Sequence, residues 1–178
     1  VKSNLDILLA PWYDKKDVVH GIDHIRRVLA AARRLAAHYD GADMEVLCAG
    51  AYLHGIPSDE RAQVGHLLRS MMPEAKISAA LTAAAESQKD SEPVSLEGKI
   101  LHDAHLIEGG RTFLIVKSLV AGSARGQTVE ETISFIEENI LGRFKCYLPE
   151  ASGLYAEKEA YAREFLRELR EGLRSDAM

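Results

Sequence analysis

Two imidazoles four residues apart, His20 and His24 in His20-Gly-Ile-Asp-His24-Ile-Arg-Arg-Val28, are the first side chains along this sequence able to bind a metal or move a proton. Positions four apart on a helix lie one above the other. The row through them reads Asp17, His20, His24, Val28, Ala31, Leu35, so both rings continue an apolar stripe. A ring on such a face needs a partner, which for histidine is either a core carbonyl or a metal. His54 closes the stretch Ala49-Gly-Ala-Tyr-Leu-His54-Gly55-Ile on the face of Leu47 and Ala51. There a metal competes with the negative end of the helix dipole, which favours a protonated ring. The third polar intrusion lies in Leu96-Glu-Gly-Lys-Ile100-Leu-His-Asp103-Ala-His105-Leu-Ile107, where Asp103 shares a face with Leu96, Ile100 and Ile107, flanked by His102 and His105. A carboxylate in that position needs a cation or several donors. It is either salt-bridged to Lys or Arg or part of a functional site.

Three predicted helices thus each send a ligand-type side chain inward: His24 with His20, His54, and Asp103 with His105. Imidazole combined with carboxylate suits a divalent transition metal (Mn, Fe, Ni or Zn) better than Ca or Mg. Such a cation lowers the pKa of bound water and can aim hydroxide at phosphorus or another electrophilic centre.

The elements that must hold these residues are helical almost throughout, with little alternation at the strand period. A short first helix, Leu5 to Ala10, is expected to stop at Pro11, and a long one to run from about Asp17 to His38. Further helices are expected at Met44 to Leu53 after an Asp43 cap, Ser58 to Met71, and Glu74 to Glu86. Beyond the polar loop Ser87 to Pro93 come Ser95 to Glu108, closed by Gly109-Gly110, and the apolar Thr112 to Ala121. The turn Gly122 to Gln127 leads into Thr128 and Glu131, a capping box opening a helix through Ile140. Gly142 to Pro149 reads as an irregular corner. An amphipathic helix from Ala151 to Leu173 follows, with Leu154, Tyr161, Phe165, Leu166 and Leu169 inward. The outcome is an all-α, single-domain, orthogonally packed helical bundle across residues 1–178, its core at about 17–145.

Composition agrees. The 178 residues suffice for one domain with a sizeable core, and 47% hydrophobic with 28% charged residues is ordinary for a soluble globular protein. A formal charge of -5 argues against a broad nucleic-acid-binding surface, which shows a basic excess, and leaves room for a local basic pocket. Cys48 and Cys146 lie far apart without CxxC spacing and read as free thiols in a reducing compartment. Val1-Lys-Ser-Asn-Leu-Asp lacks the apolar core of a secretory leader, and no run reaches the roughly twenty apolar residues of a spanning helix. The expectation is a soluble cytoplasmic protein, with the terminal helix as the one candidate contact for a homodimer.

Read in this order, the residues resemble the HD-domain superfamily of metal-dependent phosphohydrolases. The match rests on His24 with Arg27-Val28, on Ala51-Tyr-Leu-His54-Gly-Ile, and on Lys99-Ile-Leu-His-Asp103-Ala-His105-Leu, and extends from about residue 17 to the C-terminal helix. The resemblance implies an HD-type bundle binding one or two divalent cations, with His24 as first ligand, His54 as second, and the last from the segment Asp103 to His105. Three positions depart from the pattern. Gly55 stands where the family has Asp after its second His, His105 stands where relatives commonly have a second Asp, and Glu86-Ser87-Gln88 lacks the His that many relatives carry. A mononuclear site is therefore expected, with Asp103 or His105 as the distal ligand. Asp23, beside His24, and Asp59 or Glu60, after the His54 turn, are the carboxylates available for proton transfer. Arg27 could face a substrate phosphate, and the Gly122 to Gly126 turn could hold an anion at the start of the Thr128 helix. Two functions follow: a phosphohydrolase acting on a small phosphorylated compound such as a nucleotide, or a non-catalytic descendant that binds a metal, nucleotide or protein partner.

Overall fold

A computed structural model describes residues 4–17 and 19–175 and is all-helical among them. Val1 to Ser3, at the start read above as no leader, lie outside the described residues. The helices are α1 (Asn4–Tyr13), α2 (Ile22–Ala36), α3 (Met44–His54), α4 (Ser58–Leu67), α5 (Glu74–Glu86), α6 (Leu96–Ile107), α7 (Phe113–Ala124), α8 (Val129–Asn139) and α9 (Pro149–Ser175). No described helix is long and apolar enough to cross a membrane, and both cysteines are unpaired.

Apolar side chains form two clusters. The larger joins α1 to α6 with the start of α9, around Leu9, Ile25, Leu47, Leu53, Ile100 and Leu101. The smaller joins α7, α8 and the later turns of α9 through Leu114, Ile133, Ile136, Ala162 and Leu166. Helix α9 contributes to both. Gly109 (φ +70°) and Gly110 (φ +71°) turn the chain from one cluster to the other, a left-handed conformation that disfavours any side chain. Helices α7 and α8 approach closely at Gly122, where a Cβ would fall 2.2 Å from the Thr132 hydroxyl.

Several caps match the sequence. Asp43 accepts from the amides of Glu45 and Val46, Ser95 from Gly98, and Thr128 forms the capping box with Glu131. That box occupies the N-terminus of α8 with its own Glu131 carboxylate. Gly122 lies inside α7, so the anion site expected at this turn is not formed.

Other expectations are corrected. Helix α1 runs through Pro11 to Tyr13, because tertiary contacts hold its last turn. Trp12 Nε1 donates to Glu60 at 2.7 Å, and the buried Tyr13 ring packs against Gly55. Helix α2 begins only at Ile22, after Gly21 in an extended conformation. Asp17 accepts from the amides of Val19 and His20, which makes a turn where a helical start was expected. Leu154 is 51% exposed; Leu166 is buried and Tyr161, Phe165 and Leu169 pack on the second cluster as expected, and Ala151, Tyr155 and Ala162 complete the inward face of α9.

Candidate functional site

Helices α2, α3 and α6 bring His24, His54 and His105 together, with one ring nitrogen of each within 4.8 Å of the others. Ring centroids lie 4.6 Å apart for His54 and His105, 5.3 Å for His24 and His105, and 5.9 Å for His24 and His54. Each histidine lies on a face whose neighbours are core: Ile25 and Val28 on α2, Leu53 on α3, Ala104 and Leu101 on α6. The cluster is thereby carried by rigid elements.

Two of the rings are fixed by partners on Nδ1. His24 Nδ1 lies 2.8 Å from the Glu108 carboxylate, a side chain only 2% exposed. Ser87 Oγ donates to the Ala84 carbonyl at 2.8 Å, so its lone pairs are free to accept from His54 Nδ1 at 2.7 Å. Gln88 adds bonds to the Ala84 and His54 carbonyls. In both rings these bonds occupy Nδ1 and leave Nε2 for a ligand. A carboxylate behind a histidine of this kind sets its tautomer and raises its basicity toward a cation.

Burial, then the neighbouring His24 and Arg61, holds the His54 pKa down to about 3. Burial and the charge of His54 push His105 well below the usual imidazole range. His24 is lowered by burial against the opposing hydrogen bond from Glu108. All three are neutral at pH 7 and offer lone pairs. Burial alone would raise the Glu108 carboxyl, but His24 and Lys117, the latter at 2.7 Å, outweigh it and hold it at about 2.

The donor set fits a transition-metal cation. Nitrogens around a tetrahedral ion bonded at ~2.1 Å stand roughly 3.4 Å apart, so side-chain adjustments of about an ångström would close this shell.

The other predicted residues lie elsewhere. Asp103 is fully buried but turns away from the cluster, accepting from the amides of Tyr147 (2.8 Å) and Leu148 (2.7 Å) and pairing with His102 at 2.9 Å. The face argument placed it inward correctly. The donors that meet its charge belong to the corner before α9, not to a cation. His105, its neighbour one turn-step on, takes the place in the cluster. His20 lies before α2, half exposed, its ring 6.2 Å from His24 and its Nδ1 on Asp17 at 2.8 Å. Asp23 is 72% exposed and pairs with Arg26, and Asp59 is exposed on α4. Arg27 contacts Glu108 at 3.4 Å and covers the Phe113 ring at 4.5 Å.

Gly55 has a specific cause. A Cβ there would meet the Tyr13 hydroxyl at 2.6 Å, and that hydroxyl donates to the Tyr52 carbonyl while Lys16 holds the Gly55 carbonyl. The space a carboxylate would need after His54 is filled by a phenol ring.

Beside the cluster opens a cleft of about 250 Å³, lined by His20, His105 and Glu108 and, across from them, by α7, α8 and the 140–148 corner. Its basic side chains are Lys89, Lys117, Arg125 and Lys158. Lys158 is buried and donates to the carbonyls of Leu106 (2.9 Å) and Glu108 (2.6 Å), capping the end of α6. Burial lowers it to about 8. Glu108, Lys117, Lys158 and Ser87 were missed in the sequence. Only Glu108 carried a signal, three residues after His105 at the C-terminal cap of α6.

No protein-family model matches the sequence, and no curated protein matches it. Solved structures do. Bacillus subtilis YpgQ in complex with ADP superposes with a TM-score of 0.76 at 16% identity, over 94% of this chain and 92% of that one. A Lactobacillus plantarum protein gives 0.77 at 18%, over 98% and 100%. The Lin1889 protein of Listeria innocua gives 0.70 at 16%, over 97% and 98%. The chain shares the all-helical fold of these proteins along nearly its whole length.

Proposed function

We propose that this protein is a metal-dependent phosphohydrolase of the HD-superfamily type, acting at a mononuclear site on a small phosphorylated compound such as a nucleotide. The observation that carries the reading is the meeting of three neutral imidazoles from three helices, of which His105 lines a cleft with basic side chains. The ADP complex of a protein with the same fold supports a nucleotide-sized ligand. His24, His54 and His105 would hold the cation, which would supply Lewis acidity toward a phosphoryl oxygen.

The chain's own residues have separable tasks. Glu108 keeps His24 in the tautomer that presents Nε2. Lys89 and Arg125, which make no salt bridge among the described residues, are the cations able to meet a phosphate. His20, held on Asp17, presents Nε2 at the cleft to take up or give a proton. Asp23 and Asp59 do not line the cleft, which assigns proton transfer to His20 in their place.

Gly55 favours a second reading, a catalytically inactive module that keeps a metal or nucleotide site, since the family carboxylate is replaced by packing against Tyr13. One experiment separates the two. Protein stripped with chelator and reloaded with Zn, Ni, Mn or Fe is assayed for metal content and for phosphate release from nucleotides. Near-stoichiometric metal with phosphate release, both lost in His54→Ala and His105→Ala, supports the hydrolase. A full metal site with no release from any phosphate ester or anhydride supports the binding module, and metal retained by His54→Ala refutes both.

A further inference from the structure

Three of the chain's four phenylalanines, Phe113, Phe135 and Phe144, line the cleft beside the histidines. Each is only partly buried, although every one comes from a segment with core positions to offer. Each ring also carries a cation over one face: Arg27 over Phe113 at 4.5 Å, Arg125 over Phe135 at 5.0 Å, and Lys89 over Phe144 at 5.1 Å. The cleft thus combines open aromatic surface with positive charge held above it. Such a surface suits a ligand that is itself flat and apolar at one end and anionic at the other.

The basic groups limit how much negative charge can be met. Lys117 is spent on Glu108 at 2.7 Å, Lys158 on two backbone carbonyls, and Arg27 also leans on Glu108. Of the chain's own cations at the cleft, Lys89 and Arg125 remain to meet a phosphate. The volume of about 250 Å³ is also below the usual range of small-molecule pockets.

Resting on the reading of the histidine cluster and cleft as the ligand site, we infer that the preferred ligand is a phosphate monoester of an aromatic alcohol, its ring seated among Phe113, Phe135 and Phe144. These rings determine specificity without touching the phosphorus.

The test compares benzyl phosphate with ethyl phosphate, whose leaving alcohols have similar basicity, so that a preference reports the ring. Calorimetric binding to the metal-free protein, with pyrophosphate and phosphate as competitors, is followed by turnover after metal loading. Benzyl phosphate should bind at least about tenfold more tightly than ethyl phosphate, by the apolar area of the ring. Phe135→Ala should cut that ratio about fivefold or more, and Phe135→Leu, which keeps an apolar side chain, should retain part of it. Equal binding of the two esters, or pyrophosphate competing more than tenfold better than phosphate, overturns the inference even where both esters are hydrolysed. Preferential binding without hydrolysis of either supports the inference and sinks the phosphohydrolase reading.

Discussion

Acid should destabilise the metal-free protein well before its carboxylates titrate, and His54 sets the size of the effect. Its pKa is held at about 3 in the fold against ~6.5 for a histidine in an unfolded chain. Between these values the unfolded state binds a proton that the folded state does not, so stability falls as pH falls through this window and is fully present only above about 6.5. From pH 7 to pH 5 the difference amounts to about 2 kcal/mol for His54 alone, with a ceiling of about 5 kcal/mol below pH 3. His24 and His105 are shifted in the same direction and add to the slope. Glu108, held at about 2, withdraws further stability below its unfolded value of ~4.3. The assay is urea unfolding of chelator-treated protein at pH 7, 6 and 5, for the wild type and for His54→Gln, which cannot take up the proton. The wild type should lose about 2 kcal/mol more than the variant over this range. Parallel pH dependence in the two proteins, or no loss before pH 5, would refute the neutral buried imidazole on which the site rests.

Other substitutions probe the same geometry. Glu108→Gln should weaken zinc binding about 10- to 100-fold, measured with a competing chelator, because the group behind His24 loses its charge. Asp103→Asn should cost roughly 2–3 kcal/mol in denaturant, one oxygen that now meets two amides becoming a poorer acceptor, while metal content stays unchanged. Gly55→Ala should cost about 1–3 kcal/mol by driving a methyl into Tyr13, and the same change in a Tyr13→Ala background should cost less than in the wild type. Lys158→Met should lower stability by about 1–3 kcal/mol by leaving the Leu106 and Glu108 carbonyls without their donor, read by thermal unfolding.

The helices were legible because their caps and periods are local: Asp43, Ser95 and the Thr128–Glu131 box are written within four residues of the turns they close. The places where expectation failed are settled by distant contacts. Pro11 should end a helix by its own chemistry, yet Glu60 and Gly55 hold Trp12 and Tyr13 in place. The histidine pair looked like one helical face, whereas Asp17 turns the chain first. For the site, residue type and inward position were readable for His24, His54 and His105, but the choice between Asp103 and His105 depended on where the corner at Tyr147 and Leu148 lies. Lys117 and Lys158 come from helices of the second half and could not be joined to Glu108 without the fold.

The contact between Tyr13 and Gly55 couples the two positions. A carboxylate placed next to His54 would collide with the phenol before it reached the imidazoles. Truncating Tyr13 first would strip the Tyr52 carbonyl of its donor and open a void beneath α1. Each change is costly until the other has occurred, so the interior of the protein ties position 55 to glycine for as long as Tyr13 is in place.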